Sequence, residues 1–243
     1  MLKTDKSLCC VAFASFPETQ PSTAVSTEAA LTKENTDGLR YWLYTPRDAA
    51  ENMPLILYLH NSNGKGDDLD ILMAEDGFPK YVAEGTLGEL PAYIVMPQLP
   101  KEEKAWADLK EPIKALISHM TGAYGIDSAR ISITGHSMGG TGTFAIAAAY
   151  PELFCCAVPM SGRVPDRQKA LQALSAMPVW AFVGTADTVT PPKLSRDFIV
   201  SLQERNQKAQ ITAIEGAEHA QVPGKAFLEP AFDLVGWMLA QHK

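Results

Sequence analysis

The sequence predicts an α/β fold: a mostly parallel central sheet with helices on both faces. Short apolar runs bounded by proline or glycine alternate along the chain with segments of helical apolar spacing, an order typical of βαβ units. The chain has 243 residues, 46% hydrophobic and 20% charged, which is a globular composition with enough length for a core. We expect one domain over 37–243, preceded by an N-terminal arm, 1–36, that could add a strand.

The predicted strands are of two kinds. Residues 39–45 alternate apolar and polar side chains, which indicates a strand with one covered face. The run Leu55-Ile-Leu-Tyr-Leu is continuously apolar, as in a strand that is buried on both faces. Similar runs predict further strands at 92–96, 131–134, 157–160, 179–183 and 210–214.

Helices are predicted between these strands. Residues 109–120 carry apolar side chains at helical spacing, and 138–150 is apolar, rich in alanine and followed by Pro151. Pro191 and Pro192 can open a helix that runs to about Arg205. A last helix is expected over 227–239. The segment 163–177 between two strands is too short for a large cap domain, so we expect an open pocket.

Charge and cysteine usage narrow the function classes. The net charge of −7 and the lack of Lys- or Arg-rich runs argue against nucleic acid as a partner. No apolar run reaches the ~18 residues of a membrane span. The cysteines form two adjacent pairs, Cys9-Cys10 and Cys155-Cys156, without the spacing of a zinc site. We interpret them as free thiols of a reducing compartment and expect neither a metal nor an organic cofactor.

A cytoplasmic location follows from this interpretation of the cysteines. The apolar stretch 8–13 comes after lysines and has some features of a secretion signal. It is shorter than the ~7–15 apolar residues that such a signal contains, and Asp5 interrupts the basic region before it. Secretion is therefore the weaker alternative.

One motif carries the functional prediction. Residues Gly135-His-Ser-Met-Gly139 fit the pattern G-x-S-x-G and lie between a predicted strand and a predicted helix. In this pattern the serine occupies a strained strand-to-helix turn, and the glycines let strand and helix pack closely. The turn exposes the hydroxyl at the sheet edge, beside the free N–H groups of a helix N-terminus. Ser137 is the predicted nucleophile of an acyl transfer.

A serine hydroxyl needs a base to react at neutral pH, and histidine is the expected type. His219 and His242 are the histidines that follow Ser137 in the sequence. His242 lies in a polar tail, where we expect it to be solvated. His219 lies in a loop between the strand 210–214 and the last predicted helix, so it is the predicted base.

An acid should orient that base, and in this type of site it lies between the serine and the histidine in the sequence. Asp187 follows the strand 179–183 at a glycine turn, so we expect it at the same sheet edge as Ser137. Asp166 and Glu218 are rivals. Asp166 has the position of a helix cap, and Glu218 is adjacent to the base, where neighbouring side chains diverge. Asp187 is the predicted acid.

Two backbone N–H groups should bind the oxyanion that forms in such a reaction. Met138, which follows the nucleophile, supplies one of them in this motif. The second should come from the loop after the strand 55–59, from Ser62 in the first place and from Asn61 in the second. Trp106 is a candidate substrate contact because its loop could approach the pocket. A half-buried surface aromatic is the alternative for Trp106.

Two further histidines are expected to have structural roles. His60 should hold the oxyanion loop. His136 adjoins Ser137, but we expect its side chain to point away from the nucleophile and to pack under the turn.

With these residues in place, the chain resembles the α/β-hydrolase superfamily, and within it the small esterases of the phospholipase/carboxylesterase, feruloyl-esterase-like and polyhydroxybutyrate-depolymerase-like groups. The resemblance covers about 38–241. It is carried by Tyr44-Thr-Pro, Leu57-Tyr-Leu-His, Gly64-Lys-Gly-Asp-Asp, Pro97-Gln, Tyr124-Gly-Ile-Asp-Ser-Ala-Arg, Gly135-His-Ser-Met-Gly-Gly, Tyr150-Pro-Glu-Leu-Phe, Pro178-Val-Trp-Ala-Phe-Val-Gly-Thr-Ala-Asp and Gly216-Ala-Glu-His.

The resemblance implies an α/β-hydrolase fold, with Ser137, Asp187 and His219 as nucleophile, acid and base. The sequence departs from the family at two places near the pocket. His60-Asn61 stands where the family usually has His-Gly. The catalytic histidine of the family is commonly followed by small and aromatic residues, whereas Ala220-Gln-Val follows His219.

The sequence thus predicts a serine hydrolase that cleaves carboxylic esters through an acyl-enzyme, with a small-molecule ester as its partner. The alternatives are a serine peptidase or thioesterase of the same fold, or a hydrolase-fold protein that only binds. The oligomeric state is left open.

Overall fold

The computed structural model describes residues 29–243. These residues form one eight-stranded sheet with α-helices packed against it. The strands are β1 (Ala30–Thr36), β2 (Leu39–Thr45), β3 (Leu55–Leu59), β4 (Tyr93–Pro97), β5 (Ile131–His136), β6 (Cys156–Met160), β7 (Val179–Gly184) and β8 (Ala209–Ile214). The helices are α1 (Ile71–Ala74), α2 (Phe78–Ala83), α3 (Lys110–Tyr124), α4 (Met138–Ala149), α5 (Arg167–Ala173), α6 (Lys193–Gln203), α7 (Val222–Leu228) and α8 (Leu234–Leu239).

The strand order in the sheet is β1-β2-β4-β3-β5-β6-β7-β8. The pairings from β4 through β3 to β8 are all parallel, whereas β1 pairs antiparallel with β2 and β2 pairs antiparallel with β4. The predicted mostly parallel sheet is therefore confirmed. From β3 to β8, strands that are consecutive in the sequence are joined by crossovers that contain helices, as is usual for parallel strands.

The core lies on both faces of this sheet. Along β3, Leu55, Leu57 and Leu59 pack into one apolar cluster, while Ile56 and Tyr58 pack into the other. This split follows from the alternation of side chains along a strand. It explains why the central strands are continuously apolar in sequence, because both of their faces are covered.

Near the end of the chain, the structure has two short helices where the sequence predicts one. The single helix expected over 227–239 is wrong, because α7 ends at Leu228 and α8 begins at Leu234. Pro230 disfavours helical backbone at Glu229, which is extended with φ −79° and ψ 111°. Asp233 then takes a left-handed conformation with φ of +42°. The backbone at Glu229 and Asp233 therefore interrupts the helix, although the apolar spacing alone predicts a continuous one.

Part of the predicted arm lies in the structure. Residues 30–36 form the edge strand β1, in register with β2 from Ala30 opposite Thr45 to Thr36 opposite Leu39. Cys9-Cys10, the stretch 8–13 and the rest of the predicted arm up to residue 28 lie outside the described residues. The division into an arm and a catalytic domain stays a prediction.

The parallel strands bring their carboxyl ends to one edge of the sheet, and the loops there come after β3, β5, β7 and β8. Between β6 and β7 the described chain contains only the seven-residue helix α5, so no large cap lies over the edge from this segment. Among residues 29–243, no helix is long and apolar enough to cross a membrane.

Candidate active site

Ser137 lies between the end of β5 and the start of α4. Its backbone has φ of +58° and ψ of −114°, a strained conformation for a residue with a side chain. The backbone N–H of Ser137 donates to the carbonyl of Met160 on β6 over 2.9 Å, and its own carbonyl accepts from the N–H of Thr141 in α4 over 2.9 Å. The turn is therefore fixed on one side by the neighbouring strand β6 and on the other by the helix that follows it.

The glycines of the motif allow this close packing. A Cβ at Gly139 would lie 1.8 Å from the carbonyl oxygen of Leu59, and one at Gly135 would lie 2.5 Å from the same oxygen. The backbone of β3 thus passes directly against the turn. The G-x-S-x-G spacing therefore reflects contact with the neighbouring strand as well as the turn itself.

His219 connects the serine to a carboxylate. Its Nε2 lies 2.8 Å from Oγ of Ser137, and its Nδ1 lies 2.8 Å from Oδ2 of Asp187. Since a carboxylate oxygen only accepts, Nδ1 carries the proton, and Nε2 of the neutral ring accepts from the serine hydroxyl. The structure brings together the three side chains that the sequence singles out as nucleophile, base and acid.

Backbone hydrogen bonds join the two loops that carry His219 and Asp187. The N–H of Ala186 donates to the carbonyl of Ala217 over 3.1 Å, and the N–H of Thr185 donates to Ile214 over 3.0 Å. The N–H of Gly216 also donates to Oγ1 of Thr185 over 2.8 Å. The carboxylate and the imidazole are therefore held in one connected loop pair at the ends of β7 and β8.

The environment of Asp187 keeps its carboxyl ionised. Burial by itself raises the pKa, but hydrogen bonds from His219 and from the backbone of Thr190, together with the charge of His219, lower it below the ordinary value. Oδ1 accepts from the N–H groups of Val189 and Thr190 over 2.9 and 2.8 Å. The remaining oxygen, Oδ2, is thus directed at the imidazole.

The rival acids lie elsewhere. Asp166 caps α5, where its Oδ1 accepts from the N–H of Lys169 over 3.0 Å, as its sequence position predicts. Glu218 is exposed and precedes the turn that begins at His219.

The predicted oxyanion donors flank Ser137. Met138 is the first residue of α4, so its N–H has no acceptor within the helix. Asn61 and Ser62 both line the cavity above Ser137, and Ser62 opens a 3₁₀ turn, Ser62–Gly64. The N–H groups of Met138 and Ser62 donate to no other group in residues 29–243. Both are available to a developing negative charge, and their role as donors stays a prediction.

His60 holds the loop that contains Asn61 and Ser62, as the sequence predicts. Its Nε2 accepts from the N–H of Leu99 over 2.9 Å, so its Nδ1 donates to the carbonyl of Asn61 over 2.5 Å. Burial lowers the pKa of His60 to about 4, which keeps the ring neutral and this arrangement of donors intact.

His136 is placed differently from our expectation. Its Nε2 donates to the backbone carbonyl of His219 over 3.0 Å, and the two ring centroids are 4.7 Å apart. The side chain is buried but lines the cavity beside Ser137. Sequence reasoning missed this contact, and the one available signal was the position of a histidine inside the motif.

The structure corrects the prediction for Trp106. The expectation that it contacts substrate is wrong, since its side chain is 0% exposed and packs against Gly142 of α4 and the ring of His60. Its Nε1 donates to the carbonyl of His60 over 3.0 Å. Trp106 therefore supports the predicted oxyanion loop from below and is not among the residues that line the pocket.

The cavity above Ser137 has a volume of about 420 Å³ and opens to solvent. It is lined by Asn61, Ser62, Asn63, Glu75, Asp76, His136, Ser137, Val189, His219 and Ala220. Within the described part of the chain, no group of three or more His, Cys, Asp or Glu side chains is placed to hold a metal ion. Cys155 and Cys156 are buried free thiols away from this lining.

Several relatives are named as esterases. Acetylxylan esterase A of Aspergillus ficuum is 28% identical over 142 residues, which cover 53% of this chain and 44% of that protein. Acetylxylan esterase A of Aspergillus oryzae is 26% identical over 167 residues, which cover 63% of this chain and 47% of that protein. The chain thus spans less than half the length of these curated relatives.

Solved structures share the fold. A thermostable esterase superimposes with a TM-score of 0.72 at 24% identity, over 90% of this chain and 64% of that one. The feruloyl esterase module of Clostridium thermocellum gives 0.69 at 13% identity, over 98% and 97% of the two chains. The acetyl xylan esterase of Aspergillus awamori gives 0.65 at 15%, over 86% and 98%. These matches confirm the predicted α/β-hydrolase fold.

The family model described as the dienelactone hydrolase family matches residues 92–226. The matched region is more than half of the chain and contains Ser137, Asp187 and His219. The chain therefore belongs to the dienelactone hydrolase family, within the α/β-hydrolase superfamily.

Proposed function

We propose that this protein is a serine hydrolase that cleaves carboxylic esters through an acyl-enzyme. The observation that carries the proposal is the continuous hydrogen-bonded chain from Ser137 through His219 to Asp187, with 2.8 Å at each step. The esterase names of the relatives support the same reaction class. The predicted partner is accordingly a small-molecule ester.

The first half of the reaction acylates the serine. Nε2 of His219 takes the proton from Ser137 as Oγ attacks the ester carbonyl, which produces a tetrahedral oxyanion and an imidazolium. The ionised Asp187 stabilises that imidazolium and holds the ring in the tautomer with Nδ1 protonated. When the intermediate collapses, the C–O bond breaks and His219 returns its proton to the leaving alcohol.

The second half repeats these steps with water. His219 takes a proton from the water that attacks the acyl-enzyme, and returns it to Ser137 as the carboxylic acid leaves. In both halves the N–H groups of Met138 and Ser62 are the proposed oxyanion donors, with Asn61 as the alternative to Ser62. Removal of one such donor costs about 10²–10³ in kcat in comparable enzymes.

The proposed enzyme prefers esters with short acyl groups. The cavity is open and modest in volume, about 420 Å³, and the described residues that line it form no long apolar tunnel. Val189 and Ala220 are the aliphatic side chains in that lining. A short acyl group, or a short acyl group carried by a larger alcohol that extends into solvent, fits this shape better than a buried long chain.

Ser137→Ala tests the proposed function directly. The variant should keep the thermal stability of the wild type and lose turnover of short esters by several orders of magnitude. Ser118→Ala is the matched control, because Ser118 is exposed on α3, outside the cavity lining. A fluorophosphonate probe should label the wild type and Ser118→Ala but not Ser137→Ala. Equal ester hydrolysis by Ser137→Ala would refute the proposal.

Substrate panels separate the alternatives of the same fold. Esters of graded acyl length, one thioester and one peptide series should be compared by kcat/KM with the same enzyme preparation. An enzyme of the proposed type prefers short esters. A peptidase or thioesterase would show the higher value on its own substrates, and a protein that only binds would neither turn over substrate nor react with the probe.

A further inference from the structure

The cavity above Ser137 has fixed charge of one sign. Among residues 29–243, the carboxylates that line it belong to Glu75 and Asp76, and no Lys or Arg of this part of the chain is in the lining. Burial, together with the nearby charge of His219, lowers the pKa of His136 to about 4, so this ring contributes no positive charge at neutral pH. The segment between α1 and α2 thus gives the cavity an acidic wall, Glu75 and Asp76.

The acidic wall is fixed to the predicted oxyanion loop. Oε2 of Glu75 accepts a hydrogen bond from Nδ2 of Asn61 over 2.7 Å, while Oδ1 of Asn61 accepts from the N–H of Asn63 over 2.8 Å. Glu75 is half-buried. Its carboxylate therefore keeps a defined place beside the loop that should face the reacting carbonyl.

Neither carboxylate of the acidic wall is neutralised. Glu75 and Asp76 form no ion pair within the described residues. Asp76 is exposed and lies beside the hydroxyl of Tyr81, whose pKa is raised by burial and by Asp76. Among residues 29–243 the cavity lining therefore presents two carboxylates and no Lys or Arg side chain. Arg163 lies just outside this lining, where its Nη2 donates to the carbonyl of Val189 over 3.3 Å.

We propose that Glu75 and Asp76 select substrates by charge, so that the cavity accepts esters whose enclosed part is neutral or cationic and rejects those with a carboxylate or phosphate near the scissile bond. This inference rests on the proposed ester hydrolysis at Ser137. Like charges in one site disfavour binding. At low ionic strength, each carboxylate lowers kcat/KM for a monoanionic substrate in a water-filled cavity by about threefold at ~6–8 Å, and screening at physiological salt reduces this factor to about 1.5.

The test uses two pairs of esters that differ in charge. The acyl pair is p-nitrophenyl butyrate and p-nitrophenyl succinate with a free carboxylate. The alcohol pair is 4-acetoxybenzamide and 4-acetoxybenzoate. The measured quantity is the ratio of kcat/KM for the anionic ester to that for its neutral partner, and comparing the ratio between variants cancels the intrinsic reactivity of each ester.

The variants are Glu75→Gln, Asp76→Asn and the double variant. Gln at 75 retains an acceptor for Asn61, so the loop contact survives while the charge is removed. At low ionic strength, the ratio in at least one pair should rise about threefold for each single variant and about tenfold for the double variant. High salt should raise the ratio of the wild type in the same direction.

Glu204→Gln is the matched control. Glu204 follows α6 at the end away from the cavity and is exposed. The substitution therefore removes the same net charge without changing the cavity, and the ratio of the two kcat/KM values should equal that of the wild type. An unchanged ratio in both pairs for the double variant, with hydrolysis that still depends on Ser137, would overturn the charge selection alone. Lack of any Ser137-dependent hydrolysis would overturn the proposed function and this inference together.

Discussion

The imidazole of His136 donates a hydrogen bond from Nε2 to the backbone carbonyl of His219 over 3.0 Å. His136 is the last residue of β5, and the next residue is Ser137. One strand end therefore places the serine and also fixes the backbone of the residue that should activate it. This contact makes the distance between Oγ and the base depend on β5 as well as on the loop after β8.

Loss of the His136 side chain should make the position of the His219 imidazole less well defined. We expect His136→Ala to lower kcat by about tenfold to a hundredfold, because small misplacements of a catalytic group cost this much, with a smaller change in KM. His136→Gln, which can still donate from a similar position, should recover part of the loss. Steady-state kinetics check both variants. His119→Gln, on the exposed face of α3, should match the wild type, and equal kcat for His136→Ala would contradict the positioning role.

Asp187→Asn should remove most of the turnover while the fold is retained. An amide can donate to the imidazole and favour the wrong tautomer, and it carries no charge to stabilise the imidazolium, so kcat should fall by about three to four orders of magnitude. The comparison is Asp166→Asn. Asn is also a good helix cap, so this variant should keep both its melting temperature and its kcat. Equal losses in the two variants would argue against Asp187 as the acid.

The sequence predicts those parts of the molecule that depend on a recognisable pattern of neighbouring residues. The apolar runs mark the central strands because both faces of β3 and its neighbours are buried. The motif around Ser137 is visible because Gly135 and Gly139 have to lie against the backbone of Leu59. The order of serine, acid and histidine then selects Asp187 and His219 from few candidates.

Contacts between distant segments leave no such pattern. The bond between His136 and His219 joins residues 83 positions apart, and nothing in either segment specifies it. The sequence around Trp106 does not indicate which side of its loop the ring faces. Its burial follows from the space beside Gly142 and from the contact with His60, both of which lie in distant segments. The acidic wall of Glu75 and Asp76 is read in sequence as two ordinary surface charges.

Gly139→Ala should prevent the native fold or strongly destabilise it. The new Cβ would lie 1.8 Å from the carbonyl oxygen of Leu59 and 2.8 Å from that of His60, and neither backbone can withdraw without moving β3. We expect a loss of more than about 3 kcal/mol in the free energy of unfolding, beyond ordinary overpacking. Gly122→Ala in α3 meets no atom within 4 Å, so it should be neutral or stabilising by up to about 1 kcal/mol. Urea unfolding measures both, and similar values would contradict the close packing.

Stability should decrease as the pH falls from about 6.5 towards 4. Burial lowers the pKa of His60 and, with the nearby charge of His219, that of His136 from 6.5 to about 4. The unfolded chain therefore binds protons in this range that the folded protein does not, so the stability is fully present above pH 6.5 and is lost on acidification. Between pH 7 and pH 5 each histidine should remove about 2 kcal/mol from the free energy of unfolding.

Urea unfolding at pH 7 and at pH 5 measures this loss. His136→Gln should remove about half of the pH-dependent part, because its side chain does not titrate, whereas His119→Gln should leave the dependence as in the wild type. A wild-type protein that is equally stable at both pH values would show that the two buried rings take up protons in the folded state. The hydrogen bonds that His60 makes to Asn61 and Leu99 would then need a different assignment, since a protonated ring cannot accept from the N–H of Leu99.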